Sequence, residues 1–196
     1  MEFKNTIQSL QKLGGNVVKE GRGILKRFKP HSKIASGTLY NDFDYLVTAS
    51  KDSVTLEFEF GNADDYWQFV DEGVRGTPQE RPKILDGKNK GKPYPRKKGK
   101  RAANSPFSFN AKMPPRRFID KWVVKKGLKG IRDKSGRFIS RKSLVYLIQR
   151  SIFYNGLQRT QFFSRPFKTQ LKKQTDNIVK SFADDLELAL EQTLKD

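Results

Sequence analysis

Cysteine is absent from this chain of 196 residues, and histidine occurs once, as His31. That excludes a thiolate nucleophile, a disulfide and a zinc finger. His31, alone after Pro30, reads as a surface residue, and no His-carboxylate triad is expected. No apolar run approaches the roughly 18 residues of a membrane helix. The opening MEFKNTIQSLQKLGG lacks the continuous hydrophobic stretch of a secretion signal. The expectation is a soluble chain with no membrane partner that stays where it is made. A GxxxxGK[ST] phosphate loop is missing as well, and GVRGTPQE follows a helix rather than a strand, so nucleotide binding has no support. Apolar residues are sparse at 35%, yet aromatics reach 12%. Disordered chains lack aromatics, so a core is expected, and a small one.

Positive charge is plentiful, at a net +19, and it is concentrated. Residues 1–80 hold 10 basic and 12 acidic side chains, residues 143–196 hold 8 and 6, and residues 81–142 hold 22 and 3. The whole excess lies in the central segment, which favours an anionic partner. Within it, residues 82–113 are rich in Gly, Pro, Lys and Arg and show no helical or strand period. This predicts an extended arm, because loops beyond about 15 residues are uncommon in compact domains unless they have a function. Arg96, Lys97, Lys98, Lys100 and Arg101 form its densest tract. Tyr94, Phe107 and Phe109 lie nearby, where they could stack on bases. Composition fits phosphate contact and contact with an acidic protein surface equally well.

Carboxylates beside such a patch raise the question of a metal-dependent nuclease. Asp42, Asp44, Asp52, Glu57 and Glu59 are the candidates. Glu57 and Glu59 share a strand face without the lysine of a Glu-x-Lys arrangement, and they read better as solvated residues. No catalytic residue, metal ligand or cofactor is expected.

Hydrophobic spacing predicts an α+β fold. Phe3, Ile7, Leu10, Leu13, Val17 and Val18 recur at helical spacing and continue through Ile24, Leu25 and Phe28 to Pro30. They form one long helix that Gly14-Gly15 and Gly21/Gly23 weaken or break. Tyr45–Thr48 and Val54–Phe60 alternate as an antiparallel hairpin about Lys51-Asp52-Ser53. Asp64-Asp65 open a short helix that ends near Gly73. Pro114-Pro115 start a helix that stops at Gly127. Ser140 caps another that closes at Asn155-Gly156. The last helix follows Pro166 and carries Phe167, Leu171, Ile178, Phe182, Leu186, Ala189 and Leu190 on one face. The expected organisation is residues 1–76 and 114–196 as one domain, with an arm at 77–113.

The segment DYWQFVDEGVRG resembles a Tyr-x-x-Phe/Tyr-Val-Glu-x-Gly-Thr block of the neck and tail-completion proteins of tailed bacteriophages. Tyr66, Phe69, Val70, Glu72 and Gly73 match the block beside Trp67, and Gly73-Val74 replaces its Gly-Thr, with Gly76-Thr77 further along. Ser36-Gly37-Thr38-Leu39 is similar to the small-Gly-x-Leu element before that family's first strand. Arg165-Pro166-Phe167 before a long helix is similar to its closing element. The resemblance spans residues 36–76 and 104–196. It implies a structural virion subunit assembled in the host cytoplasm into a cyclic homo-oligomer in the neck. There it would join a portal or adaptor ring to tail proteins around genomic double-stranded DNA. The alternative is a nucleic-acid-binding protein, indifferent to sequence, that uses the 81–142 segment.

Overall fold

A computed structural model of the chain describes residues 3–28, 37–77, 83, 85, 88, 90–92, 104–110, 112–128, 132 and 135–194. Helix α1 (Lys4–Arg27) is continuous through its glycines. Two of them are where the helix is approached most closely. A Cβ on Gly14 would stand 2.4 Å from the Tyr45 ring, and one on Gly21 would stand 2.7 Å from the Phe162 carbonyl oxygen. These glycines let a sheet residue and a loop press onto the helix axis, and that packing outweighs their low helix propensity.

The short helix α2 (Thr38–Asp42) leads into strands β1 (Asp44–Ala49) and β2 (Val54–Glu59), an antiparallel pair with Tyr45 opposite Phe58 and Val47 opposite Leu56. Alternation puts Tyr45, Val47, Leu56 and Phe58 on the half-buried face and Glu57 and Glu59 on the exposed one. A 3-10 turn (Gly61–Ala63) and helix α3 (Trp67–Glu72) come next. Helices α4 (Arg116–Lys125), α5 (Arg141–Asn155) and α6 (Ser164–Thr193) complete an α+β fold with a small sheet, an N-terminal helix and C-terminal helices. Ser140 caps α5 through Ser143 N–H, as its position predicts.

The chain forms two compact units, one of Met1–Trp67 with Gln161–Asp196 and the other of Gln68–Thr160. In the first, α1 packs on α6 and on the hairpin. Its centre is aromatic. Phe43 and Phe162 are fully buried, Phe43 stacks on Phe60 at 5.1 Å, and Phe163 meets Phe58 edge-on at 5.1 Å. Such pairs add about 0.5–1.5 kcal/mol each beyond their area. In the second unit, Ile119 and Val123 of α4 pack on Leu144 and Val145 of α5. Gln149, also buried, accepts from Arg116 and donates to the Pro114 carbonyl at 2.7 Å, which fixes the start of α4.

The α6 face departs from the expectation in part. Gln170, Gln174 and Asp185 are buried, Phe167, Ile178 and Ala189 are half-buried, and Leu171, Phe182, Leu186 and Leu190 are 39–64% exposed, with Phe182 stacked on Phe3 at 6.0 Å. Across the seam with α1, Ser9 and Ser181 hydroxyls share a 2.6 Å bond and Gln170 donates to Glu20. Asp185 accepts from Asn5 N–H, from Thr6 N–H at 2.8 Å and from the Thr6 hydroxyl at 2.7 Å. Buried polar groups are costly unless bonded, so the rotation of α6 obeys its polar partners on α1 and leaves the leucine stripe outside.

Candidate interaction surfaces

Of the residues that carry the sequence resemblance, Gly73 and Pro166 are buried, Trp67, Val70 and Phe167 are half-buried, and Phe69 is 40% exposed. Trp67 stacks on Phe60 at 4.1 Å and meets Phe163 edge-on. Phe163 in turn packs on Phe167, beside the buried Pro166. Those belong to the first unit. Phe69 and Val70 belong to the second. Phe69 is edge-on to Phe107 at 4.5 Å, and the Val70 carbonyl accepts from the Thr160 hydroxyl at 2.8 Å. Tyr66 is half-buried and Glu72 exposed. Gly73 has φ 72°, a conformation other residues rarely adopt, and its carbonyl accepts from the Ser105 hydroxyl.

The residues just after Gly73 are engaged in ways that no local pattern indicates. Val74 and Leu157 exchange backbone bonds, and Gly76 lies so close to α5 that a Cβ there would stand 2.3 Å from the Tyr154 carbonyl oxygen. Thr77, buried, donates through its amide to the Phe153 carbonyl and through its hydroxyl to the Asn110 carbonyl at 3.0 Å. The Gly-Thr pair three residues downstream of Gly73 therefore has a packing role of its own, which only the position of α5 reveals.

Arg96, Lys97, Lys98, Lys100 and Arg101 lie outside the described residues, as do Tyr94 and His31. Phe107 and Phe109 are engaged with Phe69 and Phe153 rather than laid out as stacking platforms. Described cations do form two surfaces. In the first unit, Lys19, Arg22 and Lys26 recur along α1 and line a cleft of about 420 Å³ with Tyr40, Tyr45 and Asp44. Arg22 is held there by donating to the Phe43 carbonyl at 2.8 Å, and its guanidinium lies 5.9 Å from the centre of the Tyr40 ring. Its buried Nε–H has no hydrogen-bond partner among the described residues. The spacing of these three cations was available in the sequence, but the glycine-opened space beside them was not.

In the second unit, Arg117, Lys121 and Lys125 share the exposed face of α4 with Phe118 and Val124, each more than half exposed. Asp120, the single acid of that helix, pairs with Arg141, whose hydrogen bond holds its carboxyl below the usual range. The C-terminal turns of α6 carry the opposite sign, since residues 181–194 contain four acids and no Lys or Arg.

Of the carboxylates weighed as metal ligands, Asp42 accepts from the Asn62 amide and side chain, and Asp44 from Tyr45 N–H. Among the described residues, no three His, Cys, Asp or Glu side chains converge on a point where a metal could sit. No described helix is long and apolar enough to cross a membrane.

No family profile, curated protein or solved structure matches the chain.

Proposed function

We propose that this chain is a non-enzymatic virion component, a subunit of a cyclic homo-oligomeric ring in the neck of a tailed bacteriophage. In this reading the ring joins a portal or adaptor ring to tail proteins and surrounds the DNA channel. The observation that carries it is the order of three blocks along the chain, at residues 36–39, 65–76 and 165–167. The second and third contribute packing residues to the two units. Support also comes from the amount of large apolar surface left open on α4, α5 and α6, because small cores of this kind are stabilised when copies cover one another. The subunit works by shape and charge, with no bond made or broken. Virions imaged with a tag on this chain should carry the tag at the head-tail junction. A tag found on the capsid shell or tail tip, or absent from particles, would overturn the reading.

A second reading, a nucleic-acid-binding protein that tracks phosphate, is favoured by the Lys19–Arg22–Lys26 cleft and by the charge of residues 81–142. The two readings part on solution behaviour. Light scattering after size exclusion should show a closed oligomer for the ring and a monomer that shifts only with added DNA for the alternative.

A further inference from the structure

Two exposed faces of this chain are complementary in charge and similar in apolar content, although they lie in different units. One is the end of α6, which antiparallel packing carries past the start of α1. Asp185 marks the level of Asn5 and Thr6, and the helix continues eight residues further, to Thr193. At 1.5 Å per residue this is about 12 Å of helix. Asp184, Glu187, Leu188 and Glu191 fall on one face there at helical spacing, and all four are exposed. The other is the outer face of α4, where Arg117, Lys121 and Lys125 alternate with Phe118 and Val124, exposed by 56% and 55%. The neutralisation of Asp120 by Arg141 leaves that face uniformly cationic.

We infer that the acidic end of α6 in one copy docks on the cationic α4 face of the next. This deepens the ring reading and rests on it. The argument for a second copy is charge complementarity. Three carboxylates and a leucine, bounded by Lys180 one turn before Asp184, meet three cations and two apolar side chains, with Asp120 already paired. The exposed ion pairs select which faces meet, and burial of Leu188 against Phe118 and Val124 supplies the driving force. Because the two patches differ, the contact is heterologous. A heterologous contact closes a ring where the rotation per copy divides the circle, whereas a contact between like faces would stop at a dimer.

Charge exchange in the full-length chain tests this. Variants K121E/K125E and D184K/E187K should each weaken self-association at least about tenfold in sedimentation velocity, because like charges then face each other. The chain carrying all four substitutions should recover the wild-type distribution. Helical circular dichroism and melting of each variant show that it is folded, and K121A/K125A provides a milder variant on the same face. Wild-type oligomers that persist unchanged in both pairs would overturn this contact and leave the ring reading standing. Dissociation without recovery in the fourfold variant would overturn the pairing of these two faces. A wild-type chain that stays monomeric at every concentration would overturn the ring reading and this contact together.

Discussion

Asp185 shows how one side chain can set the relation between distant parts of the chain. Helix α1 has no side-chain cap from its own N-terminal neighbour, Phe3. The carboxylate of Asp185, 179 residues from Thr6, takes that place. Burial pushes this carboxyl up, but the donors from Thr6 and Asn5 outweigh it and hold it below the usual range. A folded value below the unfolded one means that the stabilisation is complete above about pH 4 and is lost as pH falls through the folded value. Asp185→Asn should therefore cost about 1–2 kcal/mol in urea unfolding at pH 7, with the gap to wild type closing toward pH 2. An equal gap at both pH values would show that shape, not charge, is what the site needs. The glycines of α1 divide in the same way. Gly14→Ala and Gly21→Ala should each destabilise by about 1–3 kcal/mol, since the new methyl meets Tyr45 or the Phe162 backbone. At Gly15 the nearest atom is the Tyr45 hydroxyl at 3.5 Å, so Gly15→Ala should raise the melting point through a gain of about 0.5–1 kcal/mol.

At the scale of elements, the connection between α3 and α4 leaves and returns at neighbouring points. Arg75 bridges Ser108, and the Thr77 hydroxyl reaches the Asn110 carbonyl across 33 positions of sequence. With both ends pinned, the length between them is nearly free to change, because loop closure entropy grows only slowly with length. Removal of residues 88–101 should leave the helical circular dichroism of the remaining chain and its cooperative melt in place. Global unfolding would mean that this stretch belongs to a core. The deletion also removes the tract whose contacts the sequence could not assign.

Range along the chain decided which elements were legible in the sequence. The α5 cap at Ser140 and the stop at Gly127 were readable because each depends on neighbours within four or five residues, and the hairpin because its partners lie within 15 residues about one turn. The orientation of α6 was not. Its leucines advertise a buried face, and the polar partners of Gln170 and Asp185 on α1, far away in sequence, leave Leu171, Leu186 and Leu190 largely exposed. The cleft beside Lys19, Arg22 and Lys26 was hidden for a similar reason, because it needs Tyr40 and Tyr45 brought alongside α1. The polarity of the α4 and α6 faces could be counted in the sequence, but which residues are exposed could not.

At the scale of the whole molecule, a net charge of +19 should produce nucleic-acid binding that reads charge and not sequence. Replacement of Arg96, Lys97, Lys98, Lys100 and Arg101 by Gln should lower the slope of log K against log salt by up to about 0.9 per lost phosphate contact. Fluorescence anisotropy with duplexes of unrelated sequence measures this. Tight, selective binding that survives high salt would promote the nucleic-acid reading over the ring, and an unchanged slope would assign that tract to contacts with protein.

The polar seam between α1 and α6 has a mechanical side. Leucines in such a seam could slide by a turn and find equivalent neighbours. Here a displacement of about 5.4 Å along the axis would strand the Asp185 carboxylate and separate the Ser9–Ser181 hydroxyls together. Force applied along the helices must break these bonds in parallel, whereas force that peels one helix from the other meets them singly. The pair should thus be stiff in shear and soft in peeling, and pulling from its two geometries in a single-molecule trap would register that as two separate rupture forces.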